Sequence, residues 1–446
     1  MILLHPPRRF LIPVVLLCLL LPLFGGCGQS AGATGTTLSI WYGTDDPVER
    51  VWSQQLARRF QSAHPTIHVT LQDLSFEDIN TKLQLVLSAG DPPDLAYTTP
   101  RGPGIPAYVH AHRLLDLTSA ADAHRWSERL RPGLLAQYNQ PFAYIGARPS
   151  SVVAVPTALA AVGIMANQRL LAHLRLRIPT TLSEFERALA IAKTAGFTPI
   201  GMGNADGWLG DDWYLTLVNS LVPVSSLRAE QRLDPTFSFR RPPFLRAAAI
   251  LERWARAGYF THDFGGLDAQ EGVDQFFHGQ TLLQMVSSSE NPQIVQDEAQ
   301  TGLPIRVFAF PRAAGGGIVP LSGYEGWIVP KAARHPAAAA TFITSLLSPG
   351  TTQFLQRHSV VTSHAPSSSS PSATAWVREY VDVVNTAKAG VYLDAAPVSN
   401  LNATMEANVQ LLLQGYEPPT FLVKSLQEVY SSHGHGGSTT RIDGEF

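Results

Sequence analysis

Aromatic and acidic residues lie close together near the middle of the chain, where Trp208 is followed by Asp211, Asp212, Trp213 and Tyr214. An aromatic ring packs against the apolar face of a small polar molecule, and carboxylates form hydrogen bonds with its polar rim. Two carboxylates can instead serve a hydrolase as acid and nucleophile. These residue types therefore indicate either a binding site or a hydrolytic site for a small polar ligand.

Several other chemistries find no support in the sequence. No phosphate loop of the form G-x-x-x-x-G-K-[ST] occurs, so the chain does not itself use ATP. The pairs His110/His112 and His433/His435 each lack a third nearby ligand, and we expect no metal and no cofactor. The net charge is −2 and no basic stripe occurs, so nucleic acid is not an expected partner.

Some of the aromatic and acidic residues have a structural explanation, and others are better candidates for a ligand site. Asp45 and Asp46 follow the first predicted strand, and Asp46 is the better helix cap, which leaves Asp45 as the ligand candidate. Trp208 stands in a Gly-rich stretch outside any helical stripe, which predicts a loop position suited to binding. Trp213 is equally well explained as the first core residue of the next helix. Helical patterns predict a core position for three further tryptophans: Trp52, Trp254 and Trp376.

The first 26 residues have the features of a secretory signal peptide, with Arg8 and Arg9 before an uncharged run over residues 10–24. Fifteen helical residues rise only about 22 Å, less than the roughly 30 Å hydrocarbon core of a membrane. The segment Leu23-Phe24-Gly25-Gly26-Cys27 resembles a bacterial lipobox, so we expect Cys27 to be acylated and residues 27–37 to form a flexible tether. The alternative is a plain secretory signal with an incidental cysteine.

Strand and helix patterns alternate along the rest of the chain. Residues 38–42 and 67–71 have the pattern of strands, and a helical apolar stripe over residues 48–60 lies between them. This order predicts a parallel α/β sheet, whose ligands bind at the carboxyl ends of its strands. Residues 43–46 and the segment after Tyr97 are such ends.

A series of motifs follows in a characteristic order. They are Ile40-Trp41, Ala89-Gly90-Asp91-Pro92-Pro93-Asp94-Leu95, Val155-Pro156 leading to Asn167, Pro179-Thr180-Thr181 with Glu184, Phe277-His278-Gly279-Gln280 leading to Met285, Gly326-Trp327-Ile328-Val329-Pro330, and His335-Pro336 followed by residues 337–347. Together they resemble the extracellular solute-binding proteins of the maltose-binding, sugar-importing type, over residues 38–430. The chain departs from that family at Met165-Ala166, where the family often has a tyrosine before the asparagine.

The resemblance implies an α/β fold of the periplasmic-binding-protein type, with two lobes that each contain a mostly parallel sheet flanked by helices. Crossing segments are expected near residues 150–156, 321–323 and 362–371. The expected ranges are, for lobe 1, residues 38–150 and 322–362, and, for lobe 2, residues 151–321 and 363–446. A ligand that touches both lobes only in the closed state would drive hinge closure.

The resemblance also implies the function of the external receptor of an ABC importer, which binds a carbohydrate or similar solute and is not an enzyme. In the family, ligand contacts are often found at the position of Asp94, and an aromatic residue meets the sugar near Trp327. A turn-stabilising carboxylate and a buried tryptophan are the respective alternatives. The expected ligand-binding residues are Trp41, Tyr42, Asp45, Asp94, Trp208, Asp211, Trp213, Asn291, Tyr324, Glu325, Trp327 and Tyr392.

The expected partners follow from the same resemblance. They are the solute, separate permease and ATPase chains, and the membrane through the lipid, with the protein itself a monomer outside the cytoplasmic membrane. A secreted glycoside hydrolase and a sensor or adhesin with the same cleft are the competing functions.

Overall fold

The computed structural model describes residues 35–44, 47–100, 104–323, 325–364, 374–392, 398 and 400–434. The predicted signal peptide and most of the predicted tether lie outside these residues, as do Cys27, Asp45 and Tyr324. Acylation of Cys27 and ligand contact by Asp45 and Tyr324 therefore stay predictions. Among the helices of the described residues, none has the length and apolar character needed to span a membrane.

The described residues form alternating strands and helices. The strands are β1 (Thr36–Gly43), β2 (Ile67–Leu74), β3 (Leu95–Thr98), β4 (Leu159–Asn167), β5 (Thr198–Gly201), β6 (Thr281–Ser287), β7 (Ile305–Phe308), β8 (Phe310–Pro311), β9 (Gly317–Val319), β10 (Leu321–Gly323), β11 (Gly326–Ile328) and β12 (Lys388–Ala389). The helices are α1 (Pro47–Ala63), α2 (Phe76–Ala89), α3 (Ile105–His110), α4 (Thr118–Ala123), α5 (Trp126–Arg129), α6 (Leu134–Asn139), α7 (Gln168–His173), α8 (Leu182–Thr194), α9 (Trp208–Leu221), α10 (Val224–Gln231), α11 (Pro242–Arg256), α12 (Ala269–Phe277), α13 (Asn291–Thr301), α14 (Pro336–Leu346), α15 (Pro349–Arg357), α16 (Ala375–Thr386), α17 (Leu401–Leu413) and α18 (Pro419–Gly434).

Helix boundaries follow capping signals in the sequence. The Thr181 hydroxyl accepts the Glu184 N–H at 3.2 Å, and the Glu184 carboxylate accepts the Thr181 N–H at 3.2 Å, so these two residues form a capping box at the start of α8. α2 begins after Ser75, whose hydroxyl accepts the Asp78 N–H at 3.1 Å. It ends at Gly90, whose φ of 85° lies in the left-handed region that favours glycine.

The first sheet has the strand order β11-β3-β1-β2. β1 is parallel to β2 and β3, and β11 is antiparallel to β3, which confirms a mostly parallel sheet here. Successive side chains of β1 point to opposite faces. Leu38, Ile40 and Tyr42 pack with residues of α1 and α14, whereas Trp41 packs on the other face with residues of α2 and α3.

The second sheet has the order β10-β4-β6-β5, and β7 also pairs with β4. β5 and β6 are parallel, but β4 is antiparallel to β6, β7 and β10, so the expectation of a mostly parallel sheet is corrected for this half. The reason is that β4 enters the sheet directly from a crossing segment, without a preceding helix, and runs against its neighbours. β8, β9 and β12 form a small third sheet.

The chain passes between the two large sheets three times. In the first crossing, Ala158 packs in the core of the first sheet and Leu159 in a core cluster of the second. The second crossing joins β10 to β11. In the third crossing the same change occurs between Val360 and Val361. The first and third crossings are joined by a hydrogen bond from the Leu159 N–H to the Val361 carbonyl, 2.8 Å long.

Candidate functional site

Three aromatic residues lie side by side at the carboxyl end of the first sheet. Tyr42, Tyr97 and Trp327 are register partners on β1, β3 and β11. The Tyr42 and Tyr97 rings stack with centroids 4.7 Å apart, and the Trp327 ring lies 4.8 Å from that of Tyr97. Tyr42 and Trp327 are only 1% and 3% exposed. The Trp327 indole N–H donates to the Thr157 hydroxyl at 3.1 Å, so both predicted ligand residues have the contacts of core residues.

Trp41 and two polar residues lie at the same end of β1. Trp41 is half-buried, in contrast to its fully buried neighbour Tyr42. Thr44 directly follows β1, and its hydroxyl donates to the Glu49 carboxylate of α1 at 2.7 Å. Both residues are buried, with exposed fractions of 0% and 5%. This edge therefore combines an aromatic face with a buried hydroxyl–carboxylate pair.

Asp94 has a structural role in this protein. It precedes β3 and lies beside Ser39 in the middle of β1, away from the carboxyl ends of these strands. Its carboxylate accepts the Ser39 N–H at 3.0 Å and the His335 N–H at 2.7 Å, and the His335 ring nitrogen Nδ1 lies 3.1 Å away. These contacts correspond to the turn-stabilising alternative, because they tie β1 to the start of α14. Asp94 therefore lies at the amino end of β3, on the far side of the sheet from the carboxyl ends where ligands are expected.

Trp208 begins a helix, which corrects the prediction that it lies in a loop. It is the first residue of α9, preceded by Gly207 at a φ of 85°, and its side chain is half-buried. The Asn204 side-chain oxygen accepts the Gly210 N–H at 2.6 Å and so holds the first turn of α9 after the end of β5. Asp211 follows in the same turn and is 2% exposed. The helix start thus presents a partly accessible indole beside a buried carboxylate.

Two other predicted ligand residues pack in the core of the second sheet. Trp213 is 0% exposed, and its ring lies 5.9 Å from that of Trp254 and 6.2 Å from that of Phe185. Tyr392 is 6% exposed and belongs to the same hydrophobic cluster. Trp213 is therefore a core residue of α9, which is the structural alternative that the sequence pattern also indicated for it.

The segment after β6 carries buried polar residues. The Glu290 carboxylate accepts the Ser287 N–H at 2.7 Å. Asn291 begins α13, is 0% exposed, and donates from Nδ2 to the Ser359 carbonyl at 3.2 Å. Glu325, between β10 and β11, is 3% exposed. The sequence-predicted residues Asn291 and Glu325 thus lie next to the crossing segments.

The elements that follow the carboxyl ends of the two sheets meet in space. α1 follows β1, α13 follows β6, and these two helices contact each other. Burial raises the pKa of Tyr380 well above its ordinary value, and the nearby carboxylates of Glu290 and Asp212 raise it further. The Tyr380 hydroxyl donates to the Val286 carbonyl near the end of β6 at 3.0 Å. Acidic residues from the starts of α9 and α13 therefore surround one end of the second sheet.

Sequence reasoning missed three buried polar residues at these edges. Thr44 and Asn204 come shortly after the ends of β1 and β5, and Glu49 lies in the first turn of α1. The general rule that ligands meet the carboxyl ends of strands would have pointed to Thr44 and Asn204. No motif in the sequence distinguishes them from ordinary turn residues.

A comparison with known protein families shows to which family this chain belongs. The profile described as bacterial extracellular solute-binding protein matches residues 45–353, more than half of the chain. The chain is a member of that family.

Relatives of this solute-binding protein include a multiple sugar-binding protein of Streptococcus mutans, 22% identical over 296 residues, which are 65% of this chain and 66% of that protein. A chitin oligosaccharide binding protein has a TM-score of 0.76 at 20% identity, over 89% of this chain and 98% of its own. The GacH receptor of Streptomyces glaucescens, solved unliganded and with acarbose, has a TM-score of 0.71 at 18% identity, over 89% and 98%. These likenesses confirm the two-lobed α/β fold.

A metal ion would require a group of ligating side chains among the described residues of this solute-binding protein. Across the described ranges, no three His, Cys, Asp or Glu side chains are grouped so that they could hold an ion. The residues near the carboxyl ends of the two sheets can form hydrogen bonds and aromatic contacts, which are the interactions that a neutral polar solute requires.

Proposed function

We propose that this protein is the extracytoplasmic receptor of an ABC importer and that it binds a carbohydrate between its two lobes for delivery to a separate permease. The main support is the contact between α1 and α13, the helices that follow β1 of the first sheet and β6 of the second, in a member of the solute-binding family. Two of its relatives are named for binding sugars or chitin oligosaccharides.

The half-buried tryptophans are the best candidates for contact with sugar rings. Trp41 lies on β1 of the first sheet, Trp208 begins α9 after β5 of the second sheet, and both side chains are only half-buried. Asp211 and Glu325 would accept hydrogen bonds from hydroxyl groups, with Asp45 and Tyr324 as further candidates that lie outside the described residues. We leave Tyr42, Asp94, Trp213, Trp327 and Tyr392 out of the proposed site, because core or backbone contacts account for them.

The remaining parts of the proposal concern the anchor, the lobes and the chemistry. Core packing supports lobe boundaries at residues 158–159 and 360–361, with the second crossing between β10 and β11. Acylated Cys27 would hold a monomer at the outer face of the cytoplasmic membrane. The protein would release its ligand unchanged, since its family members are receptors.

Titration calorimetry with raffinose, stachyose, maltotriose and chitotriose tests the binding function. We expect one of these oligosaccharides to bind with a Kd in the micromolar range or below, and we expect chromatography to recover it intact after prolonged incubation. Asp211→Asn serves as the control for hydrolysis. Turnover by the parent protein that disappears in Asp211→Asn would favour the glycoside hydrolase, and absence of binding by every saccharide would contradict the carbohydrate assignment.

A further inference from the structure

One side chain connects the second sheet to the third crossing segment. Asn291 begins α13 and directly follows residues 288–290, the polar segment after β6. Its Nδ2 donates to the carbonyl of Ser359, the residue before Val360. Val360 packs in the core of the first sheet, and Val361 packs in a core cluster with residues of the second. The Asn291–Ser359 hydrogen bond therefore joins the two sides of the molecule at the point where the chain crosses.

The acceptor of this bond has an unusual backbone conformation. Ser359 has a φ of 68°, which lies in the left-handed region that non-glycine residues seldom adopt, and it is 5% exposed. Such a conformation costs free energy and persists where surrounding contacts hold it. The Asn291 amide supplies one of those contacts, and the Ser359 N–H supplies another by donating to the Gln356 carbonyl at 3.0 Å.

Helix capping does not explain Asn291. The residue before α13 is Glu290, and its side chain makes no capping hydrogen bond to this helix. The Asn291 amide nitrogen donates to another segment of the chain, and its side chain is 0% exposed. α13 makes a second contact between the two lobes, because it also touches α1, a helix that packs on the first sheet. The start of α13 is thus one place where the second lobe contacts the first, beyond the crossing segments.

We propose that Asn291 is a positioning residue for lobe closure: its amide stabilises the described arrangement of the lobes without contacting the ligand. Loss of the donor would then shift the free protein toward a more open arrangement, because ligand-free lobes exchange between states that differ by a few contacts. The role in closure rests on the proposed function, since it matters for transport only if a solute binds between the lobes.

Distances between two spin labels, measured by pulsed electron resonance without ligand, test this role. Leu85→Cys and Tyr416→Cys place one label on each lobe at positions 65% and 73% exposed, in a Cys27→Ser background. Asn291→Asp keeps the shape of the side chain but removes the donor. We expect the population at the parent distance, relative to longer distances, to fall about 3- to 10-fold, as for the loss of one hydrogen bond. Asn408→Asp, at a 9% exposed position in α17, is the matched control.

Two results would overturn the proposal: a distance distribution of Asn291→Asp equal to that of the parent, or an equal shift in Asn408→Asp. Melting curves establish that each variant is folded. If Asn291→Asp does not fold, Asn291→Ser takes its place, since its short side chain cannot reach the Ser359 carbonyl. Because no ligand is present, the outcome is independent of whether the protein binds a carbohydrate.

Discussion

The contrast between Trp208 and Trp327 gives the sharpest test of the proposed site. Both tryptophans were predicted to bind ligand, but the structure gives them different surroundings. Trp327 is 3% exposed, its ring lies 4.8 Å from Tyr97 and 5.6 Å from Phe342, and its N–H bonds to Thr157. Trp208 is half-buried at the first position of α9. Replacement by Ala should therefore affect stability in one case and ligand affinity in the other.

The expected magnitudes follow from these surroundings. Replacing a buried tryptophan by Ala costs about 3–5 kcal/mol of unfolding free energy. With an unfolding entropy of about 2.1 cal/mol/K per residue over roughly 400 residues, that loss lowers Tm by about 4–6 °C. Trp208→Ala should lower Tm by less than half as much. If its ring stacks on the ligand, affinity should fall by about 2 kcal/mol, or roughly thirtyfold.

The assay measures Tm and ligand affinity for both variants, with the oligosaccharide that binds most tightly to the parent protein. Affinity is measured well below the lower Tm, so that only folded protein contributes. We expect Trp327→Ala to melt early and bind within about threefold of the parent, a difference below 1 kcal/mol. The reasoning is refuted if Trp208→Ala melts early and binds normally, or if Trp327→Ala loses affinity while its Tm is unchanged.

Two further predictions concern the anchor and the response to acid. Cys27→Ser should move the protein from the membrane to the soluble fraction, because stable retention at a membrane needs more than one acyl chain. Cys18→Ser, in the predicted signal peptide, is the control and should leave the protein at the membrane. Complete membrane retention of Cys27→Ser would place the anchor elsewhere. Burial lowers the pKa of His364 to about 4, from 6.5 when unfolded, so the unfolded state binds more protons between these values. The free energy of unfolding should therefore fall by about 3 kcal/mol as the pH drops from above 6.5 to 4. Urea unfolding should show a smaller loss over this pH range for His364→Gln than for the parent protein. Equal losses in the two proteins would contradict the assignment to His364.

Local signals in the sequence predicted many of the elements. The strand patterns over residues 38–42 and 67–71 correspond to β1 and β2 within a few residues, and the helical stripe over residues 48–60 lies within α1. Such signals act over a few residues and therefore appear in the sequence itself. The order of motifs along the chain was also sufficient to identify the family.

Candidate site residues were harder to predict, because the same residue types serve cores and binding sites. Trp41 and Tyr42 are neighbours in sequence, but they face opposite sides of β1, and only the packing of α1 and α14 decides that Tyr42 is fully buried. Asp94 resembled a ligand residue until its position beside Ser39 and His335 was known. Trp208 was expected in a loop, since a tryptophan in a Gly-rich stretch carries no helical pattern.

The sequence alone predicted the first two strands, the helix between them and the membership of the solute-binding family, because these depend on local order along the chain. The tertiary structure decided the antiparallel direction of β4, the burial of Trp213 and Trp327, and the contact between Asn291 and Ser359. Each of these depends on segments separated by dozens of residues. Their contacts follow from how sheets and helices pack together, and no short stretch of sequence records that packing.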